Sequence, residues 1–324
     1  MTKSANGAYV APAWLPGGHA QTIYPSLTRG PAVPYRRQRI DTPDGDFVDF
    51  DWLDASGPAG DATPVVVLFH GLEGSSSSHY ALALMRELSA IGWRGVVPHF
   101  RGCSGQPNRL PRAYHSGDYA EVGWMLVTIR ALVPFAPLFA VGVSLGGSAL
   151  LNWLGREEGH AASIVTAAAA VSTPLDLTAA GIAIGIGLNR IYSRHFLGTL
   201  VPKAIGIAQR FPGLLDSAAI ARVNSMYAFD DIVTAPLHGF AGTQDYWKRA
   251  SSKPWLKAIA VPTLVVNARN DPFIPASSLP TRAEASGAVM LEQPEHGGHG
   301  GFPRSSSFGS AWLSRRLTTF FQTS

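Results

Sequence analysis

The sequence predicts an α/β fold, a mostly parallel twisted sheet flanked by helices, with a helical insertion late in the chain. Three observations carry that expectation. Short, fully apolar, β-branched runs such as Val65–Phe69 alternate with segments of helical periodicity such as residues 80–91, where Leu82, Met85 and Leu88 share a face. The alternation stops between about Pro174 and Ala260, where helical patterning continues with little strand signal. A third apolar run, residues 137–141, leads through Gly142-Val143-Ser144-Leu145-Gly146 into a small-residue helical segment. Strands alternating with helices imply parallel pairing with right-handed crossovers.

Taken in order, residues 39–42 and Phe47–Leu53 flank the turn signal Pro43-Asp44-Gly45 and read as a hairpin. Strands follow at Val65–Phe69, 95–98, Leu138–Val143, 163–171, 263–267 and 288–291, with helices at 80–91, 118–133 and after residue 145. A short helix is expected near 277–285 and a closing one over 307–321. Within the insertion, helical patterning covers 188–200, 204–210 and 218–229. The expected organisation is an N-terminal extension over residues 1–35, a core of residues 36–173 and 261–324, and a cap of residues 174–260. An insertion at the carboxyl end of a parallel sheet sits over the crevice where ligands bind.

Composition bounds the function. A chain of 324 residues that is 46% hydrophobic can bury a large core, and 15% charged residues leave little room for disorder. The net charge of +4 comes from scattered arginines. The densest basic run, Arg36, Arg37 and Arg39, reads as a solvated strand face, and no aromatic-basic pattern indicates a nucleic-acid partner. The single cysteine, Cys103, precludes an intramolecular disulfide and suits a reducing compartment. Residues 1–10 contain no apolar signal core, and the apolar stretches 165–171 and 179–188 fall short of the roughly 20 residues that span a bilayer. A cytoplasmic protein is expected, with peripheral membrane contact left open.

The pentapeptide around Ser144 has the strand–turn–helix context of a nucleophile elbow, in which only small residues fit two positions before and after the serine. A serine hydroxyl needs a base, and the base an orienting carboxylate. In α/β-hydrolases these follow in the order Ser, Asp or Glu, His. Asp271 lies just after a late strand, in Ala268-Arg269-Asn270-Asp271-Pro272, while Asp230, Asp231 and Asp245 in the insertion are weaker rivals. One strand later, Glu295-His296-Gly297-Gly298-His299 offers two histidines, between which spacing alone does not choose. Their separation could suggest a metal pair, but no further ligands stand at a helpful spacing, so no metal or cofactor is expected.

The oxyanion hole calls for two backbone N–H groups: Leu145, after the serine, and Leu72, in the loop His70-Gly71-Leu72-Glu73-Gly74 after the Val65–Phe69 strand. His70 reads as a brace for that loop and Cys103 as a small packed thiol. His115 and Asp118 read as organisers of a helix start. Trp247 and Trp255 read as packing residues, either of which could line an acyl pocket.

These pieces together resemble the YheT-like family of α/β-hydrolases, which includes mammalian abhydrolase-domain esterases acting on lipids. The shared segments run from Trp14-Leu15 and Gly18-His19-Ala20-Gln21-Thr22 through the His70-Gly71 loop, Phe100-Arg101-Gly102-Cys103-Ser104-Gly105, the elbow and Asp271-Pro272-Phe273 to Gly297-Gly298-His299 with Gly301-Phe302. The resemblance implies the α/β-hydrolase fold, a Ser144–Asp271–His299 triad and carboxylic-ester hydrolysis on a small-molecule ester or lipid. The family's Gly-Gly-His-x-Gly-Phe pattern falls on His299 and so selects it over His296. One departure is Asn270, where relatives carry a second Asp. The apolar residues 179–191 would form an acyl pocket favouring medium or long chains. The same triad would also serve an acyltransferase or thioesterase. A catalytically silent lipid-binding protein is the alternative outside enzymes, and the complete triad speaks against it.

Overall fold

The computed structural model describes residues 9–57, 60–304 and 311–324. Among these, eight strands form one sheet in the order β1-β2-β4-β3-β5-β6-β7-β8. The strands are β1 (Arg36–Asp41), β2 (Phe47–Leu53), β3 (Val65–Phe69), β4 (Arg94–Pro98), β5 (Leu138–Val143), β6 (Ala167–Val171), β7 (Thr263–Val266) and β8 (Val289–Glu292). β1 and β2 pair antiparallel and β2 joins β4 antiparallel; every pairing from β4 to β8 is parallel.

Helices cover both faces because the central strands are apolar on both. Val65, Val67 and Phe69 of β3 pack into a layer with α3 (Tyr119–Leu132) and α4 (Leu145–Glu157). Val66 and Leu68 point the other way, towards α2 (His79–Ala90) and the closing helix α11 (Ala311–Gln322). Period-two alternation thus feeds two separate cores from one strand.

Before the sheet lies α1 (Gly18–Leu27), a helix within the stretch expected only as an extension. Between β6 and β7 the chain is helical: α5 (Leu177–Ala183), α6 (Arg190–Arg210), α7 (Ser217–Ala221), α8 (Met226–Phe229), α9 (Ala235–His238) and α10 (Thr243–Ala250). This insertion has its own apolar cluster, in which Leu197, Leu200 and Ala204 of α6 meet Ile220, Phe229 and Val233.

Several boundaries differ from expectation for local reasons. β1 begins at Arg36, because Arg37 and Arg39 lie opposite Asp51 and Asp49 on β2 and pair with them at 2.7 and 2.8 Å. The basic run is therefore an ion-paired edge. β6 begins only at Ala167, since residues 158–163 coil into a 3₁₀ turn. The patterns over 188–200 and 204–210 belong to one helix, α6, which continues through Pro202. The pattern over 218–229 breaks into α7 and α8. The helix expected near 277–285 is two 3₁₀ turns on either side of Pro280. Of the closing helix, residues 307–310 lie outside the described residues. Asp118 stands at the N-cap of α3, but its carboxylate turns to Arg112 instead of capping, while His115 Nδ1 accepts the Gly117 N–H at 3.2 Å.

Four histidines are held neutral by burial. The pKa of His79 is lowered to about 4, and those of His70, His115 and His238 to about 3. An unfolded histidine titrates near 6.5, so below that pH the unfolded chain takes up protons that the folded one refuses. Stability is therefore fully present above pH ~6.5 and falls as pH drops through the window towards ~3–4, by up to ~1.4 kcal/mol per pH unit for each histidine. Thermal unfolding followed between pH 7.5 and 4.5 should show a steadily falling midpoint; a flat midpoint would contradict the burial assigned to these side chains.

Candidate active site

Ser144 occupies the single residue between β5 and α4, with φ 54° and ψ −119°. That left-handed conformation is strained for a residue with a side chain, and its surroundings hold it. A Cβ on Gly146 would lie 2.4 Å from the Phe69 carbonyl oxygen, and one on Gly142 would lie 2.5 Å from that of Gly146. The two glycines let β3, β5 and the start of α4 close around the turn. Ser144 N–H donates to the Val171 carbonyl of β6 at 2.8 Å.

The sheet's carboxyl edge brings three side chains into line. Asp271 follows β7 in a turn closed by its own N–H to the Ala268 carbonyl at 3.2 Å. Its Oδ1 accepts the Phe273 N–H at 2.8 Å, leaving Oδ2 facing His299 Nδ1 at 2.8 Å. His299 Nε2 stands 2.9 Å from Ser144 Oγ. The Asp271 carboxylate is fully buried, whereas the His299 ring keeps a solvent-accessible edge. The tautomer with its proton on Nδ1 satisfies both contacts at once. His296, the other histidine of the loop, sits apart on the Asn270 side chain at 3.3 Å. The rival carboxylates have other duties. Asp230 accepts from Trp247 Nε1 and Thr234 Oγ1, Asp231 from Thr243, and Asp245 from the Ala241 N–H and Arg249. Among the described residues, no three His, Cys, Asp or Glu side chains are grouped so as to hold a metal ion.

The loop carrying His299 rests on α1. Gln21, itself buried, accepts the Gly297 N–H at 2.9 Å and the Asn270 side-chain amide at 3.0 Å through one oxygen, Oε1. Asn270 Oδ1 in turn accepts the Gly298 N–H at 3.0 Å, and Thr22 Oγ1 accepts the His299 N–H at 2.9 Å. The contact is so close that a Cβ on Gly18 would overlap the Asn270 carbonyl, and one on Gly301 that of Gln21. In the sequence, Gly18–Thr22 stands out only as part of the family resemblance. Its repeated small and polar residues were the available signal of a backbone-to-backbone contact. Asn270, the departure from the family pattern, is a working member of this brace.

The loop after β3 passes beside the serine: a Cβ on Gly71 would touch Ser144 Cβ at 3.2 Å. The amides flanking Leu72 are committed, Gly71 N–H to the Tyr80 hydroxyl at 2.9 Å and Glu73 N–H to the Tyr114 hydroxyl at 2.7 Å. Leu145 opens α4, so its N–H has no intrahelical acceptor. His70 braces this region: its Nε2 accepts the Phe100 N–H at 3.1 Å, which leaves Nδ1 to donate to the Gly71 carbonyl at 2.8 Å. Glu73 also receives Lys203 Nζ of α6 at 2.7 Å, tying the insertion to the loop. Cys103 is packed nearby, and burial pushes its thiol up to about 12, which leaves it no thiolate character.

Ser144, Leu145, Leu72 and His299 open onto a cavity of about 560 Å³ between the sheet edge and the insertion. Its walls are mainly apolar and include Ala180, Gly181, Ile184, Leu200, Phe229 and Phe273. Trp247 also lines it; Trp255 instead packs against Gly155 and the Arg156 guanidinium. The apolar stretch 179–191 divides: Ala180, Gly181 and Ile184 face the cavity, while Ile182, Ile186, Leu188 and Ile191 are exposed.

A family model described as alpha/beta hydrolase fold matches residues 64–304. The chain is 39% identical over 310 residues to "Putative esterase YheT" of Escherichia coli (strain K12), covering 94% of this chain and 90% of that one. It is 30% identical to "Phospholipase ABHD3" of Homo sapiens, covering 93% and 76%, and 26% identical to "Monoacylglycerol lipase" of Saccharomyces cerevisiae, covering 81% and 60%. Among solved structures, the Pyrococcus furiosus esterase Pf2001 superposes with a TM-score of 0.58 at 12% identity, over 100% of this chain and 98% of that one, a likeness of fold.

Replacing Gln21 with Ala removes the acceptor for two donors beneath the His299 loop. The expected outcome is a loss of roughly 1–3 kcal/mol in stability, the cost of leaving buried donors unpaired. Ester turnover should fall in kcat with KM little changed, because the variant touches the loop and not the cavity. Thermal unfolding and steady-state kinetics on a soluble ester would check both.

Proposed function

The chain belongs to the YheT-like family of α/β hydrolases, and from that premise we propose that it is a serine carboxylesterase acting through an acyl-enzyme on Ser144. The observation that carries the reading is the unbroken Asp271–His299–Ser144 chain at the floor of an apolar cavity. Ser144 Oγ attacks the ester carbonyl carbon while its proton passes to His299 Nε2. The carbonyl π electrons move onto oxygen, and the resulting oxyanion takes the N–H groups of Leu72 and Leu145. Collapse breaks the bond to the leaving alkoxide, which receives the proton from Nε2 and departs as the alcohol. Water then repeats the sequence on the acyl-serine: Nε2 takes its proton, and collapse releases the carboxylic acid and returns the proton to Oγ. Asp271 holds the imidazole tautomer and stabilises the imidazolium formed twice in the cycle.

Residues 174–260 act as a cap in this reading, and the acyl chain lies against Ala180, Gly181, Ile184 and Phe229. A cavity of about 560 Å³ with few polar walls suits a medium-length chain better than acetate. Lipid-like esters are accordingly the proposed substrate class.

Ser144→Ala should abolish turnover of p-nitrophenyl butyrate, and Asp271→Asn should lower kcat by roughly 10⁴-fold, each with an unchanged unfolding midpoint. Unaltered activity in Ser144→Ala would reject the assignment. Across a series of p-nitrophenyl esters, kcat/KM should peak at intermediate chain length. Ala180→Phe should move that peak to shorter chains, while an unmoved peak would place the acyl chain elsewhere.

A further inference from the structure

The insertion presents an unpartnered apolar surface beside the site just described. Ile182, Ile186, Leu188 and Ile191 expose between 54% and 67% of their surface within ten residues of chain. Exposed aliphatics are ordinary singly on a protein surface; here four large ones fall within ten residues of chain. The same segment turns Ala180, Gly181 and Ile184 inward to the cavity. Asn189, in its middle, donates to the Pro272 carbonyl at 2.5 Å, next to Asp271. The exposed patch and the acyl cavity are therefore two sides of one stretch of chain.

Charge says what covers it. Residues 177–215 contain Arg190, Arg194, Lys203 and Arg210 and no Asp or Glu, so this segment alone carries +4, equal to the net charge of the whole chain. Lys203 turns to Glu73, and Arg210 donates to the Arg109 carbonyl. Arg190 and Arg194 are exposed, and among the described residues neither has a carboxylate partner. They flank Ile191 within the patch. Exposed aliphatic side chains with two exposed arginines among them, in a stretch whose own sequence holds no Asp or Glu, match a surface whose interior is hydrocarbon and whose face is anionic.

We propose that the outer face of residues 182–194 docks the protein on an anionic lipid bilayer, with the isoleucines and Leu188 entering the acyl boundary and Arg190 and Arg194 meeting the lipid phosphates. Docking here sets the stretch of chain that walls the acyl cavity against the membrane. The inference rests on the esterase reading for its purpose but not for its test, because binding is read without turnover.

The experiment is co-flotation of the protein with phosphatidylcholine vesicles, with and without roughly 30% phosphatidylglycerol, at low and high salt. Ser144→Ala, which cannot turn over, serves as a further binding sample. Wild type and Ser144→Ala should float equally with the anionic vesicles, more weakly at high salt. Ile186→Ser/Leu188→Ser/Ile191→Ser should bind at least roughly tenfold more weakly. Arg190→Gln/Arg194→Gln should lose the preference for anionic vesicles. Both variants should hydrolyse a soluble ester as wild type does, which shows that they fold. Wild type that stays with the soluble fraction, or variants that float as it does, would overturn the proposal. So would a wild-type dimer in gel filtration that these variants dissociate, since the face would then belong to a second copy of the chain. Loss of ester hydrolysis in wild type with flotation intact would instead strike the esterase reading alone.

Discussion

The left-handed backbone at Ser144 is the constraint around which the rest of the site is arranged. A side-chain-bearing residue at φ 54° costs on the order of 1–3 kcal/mol, so it persists only where neighbours leave it no alternative. Here β3 and β6 close on either side, and Gly142 and Gly146 remove the Cβ atoms that would keep them apart. The consequence runs outward. Because Gly146 touches the Phe69 and His70 carbonyls, the loop after β3 must leave the sheet directly beside the serine, and its Leu72 amide comes with it. Strain at one residue and the placement of the loop beside it are a single packing solution.

The histidine's position rests on a different support. The His299 loop is rich in glycine, and three of its glycines, at 297, 298 and 300, have positive φ. Such a loop has no conformation of its own to fall back on. α1 supplies one by receiving its amides on Gln21 and Thr22. The same helix reaches the insertion, where His19 Nδ1 lies 3.1 Å from the Tyr192 hydroxyl and the two rings stack, and Tyr192 packs on Phe273 beside the His299 ring. With Lys203 on Glu73, the insertion touches both the histidine side and the loop after β3. Elements far apart in sequence thus converge on three side chains.

Much of this was legible in the sequence, and the boundary of what was legible has physical causes. Buried parallel strands announce themselves because both faces are apolar, and the elbow because steric exclusion dictates its glycines. Asp271 stands out as the candidate acid by its place after a strand. The choice of His299 over His296 could not come from spacing, since both lie in the same loop; it rests on the resemblance, and in the structure His299 is the one within hydrogen-bond distance of Asp271 and Ser144. α1 was missed as a helix because its sequence contains Pro25 and a weak apolar face, and its purpose lies in contacts with a loop 276 residues away. The inner and outer sides of residues 179–191 could not be told apart either. Periodicity separates apolar from polar faces, and here both faces are apolar.

Ser144, activated by His299, is the proposed nucleophile. The most direct test is to treat the protein with a fluorophosphonate and map the adduct by peptide mass spectrometry. One phosphonyl group per chain, on Ser144, formed far more slowly in His299→Gln, is the predicted result. No adduct, or one on another residue, would contradict it.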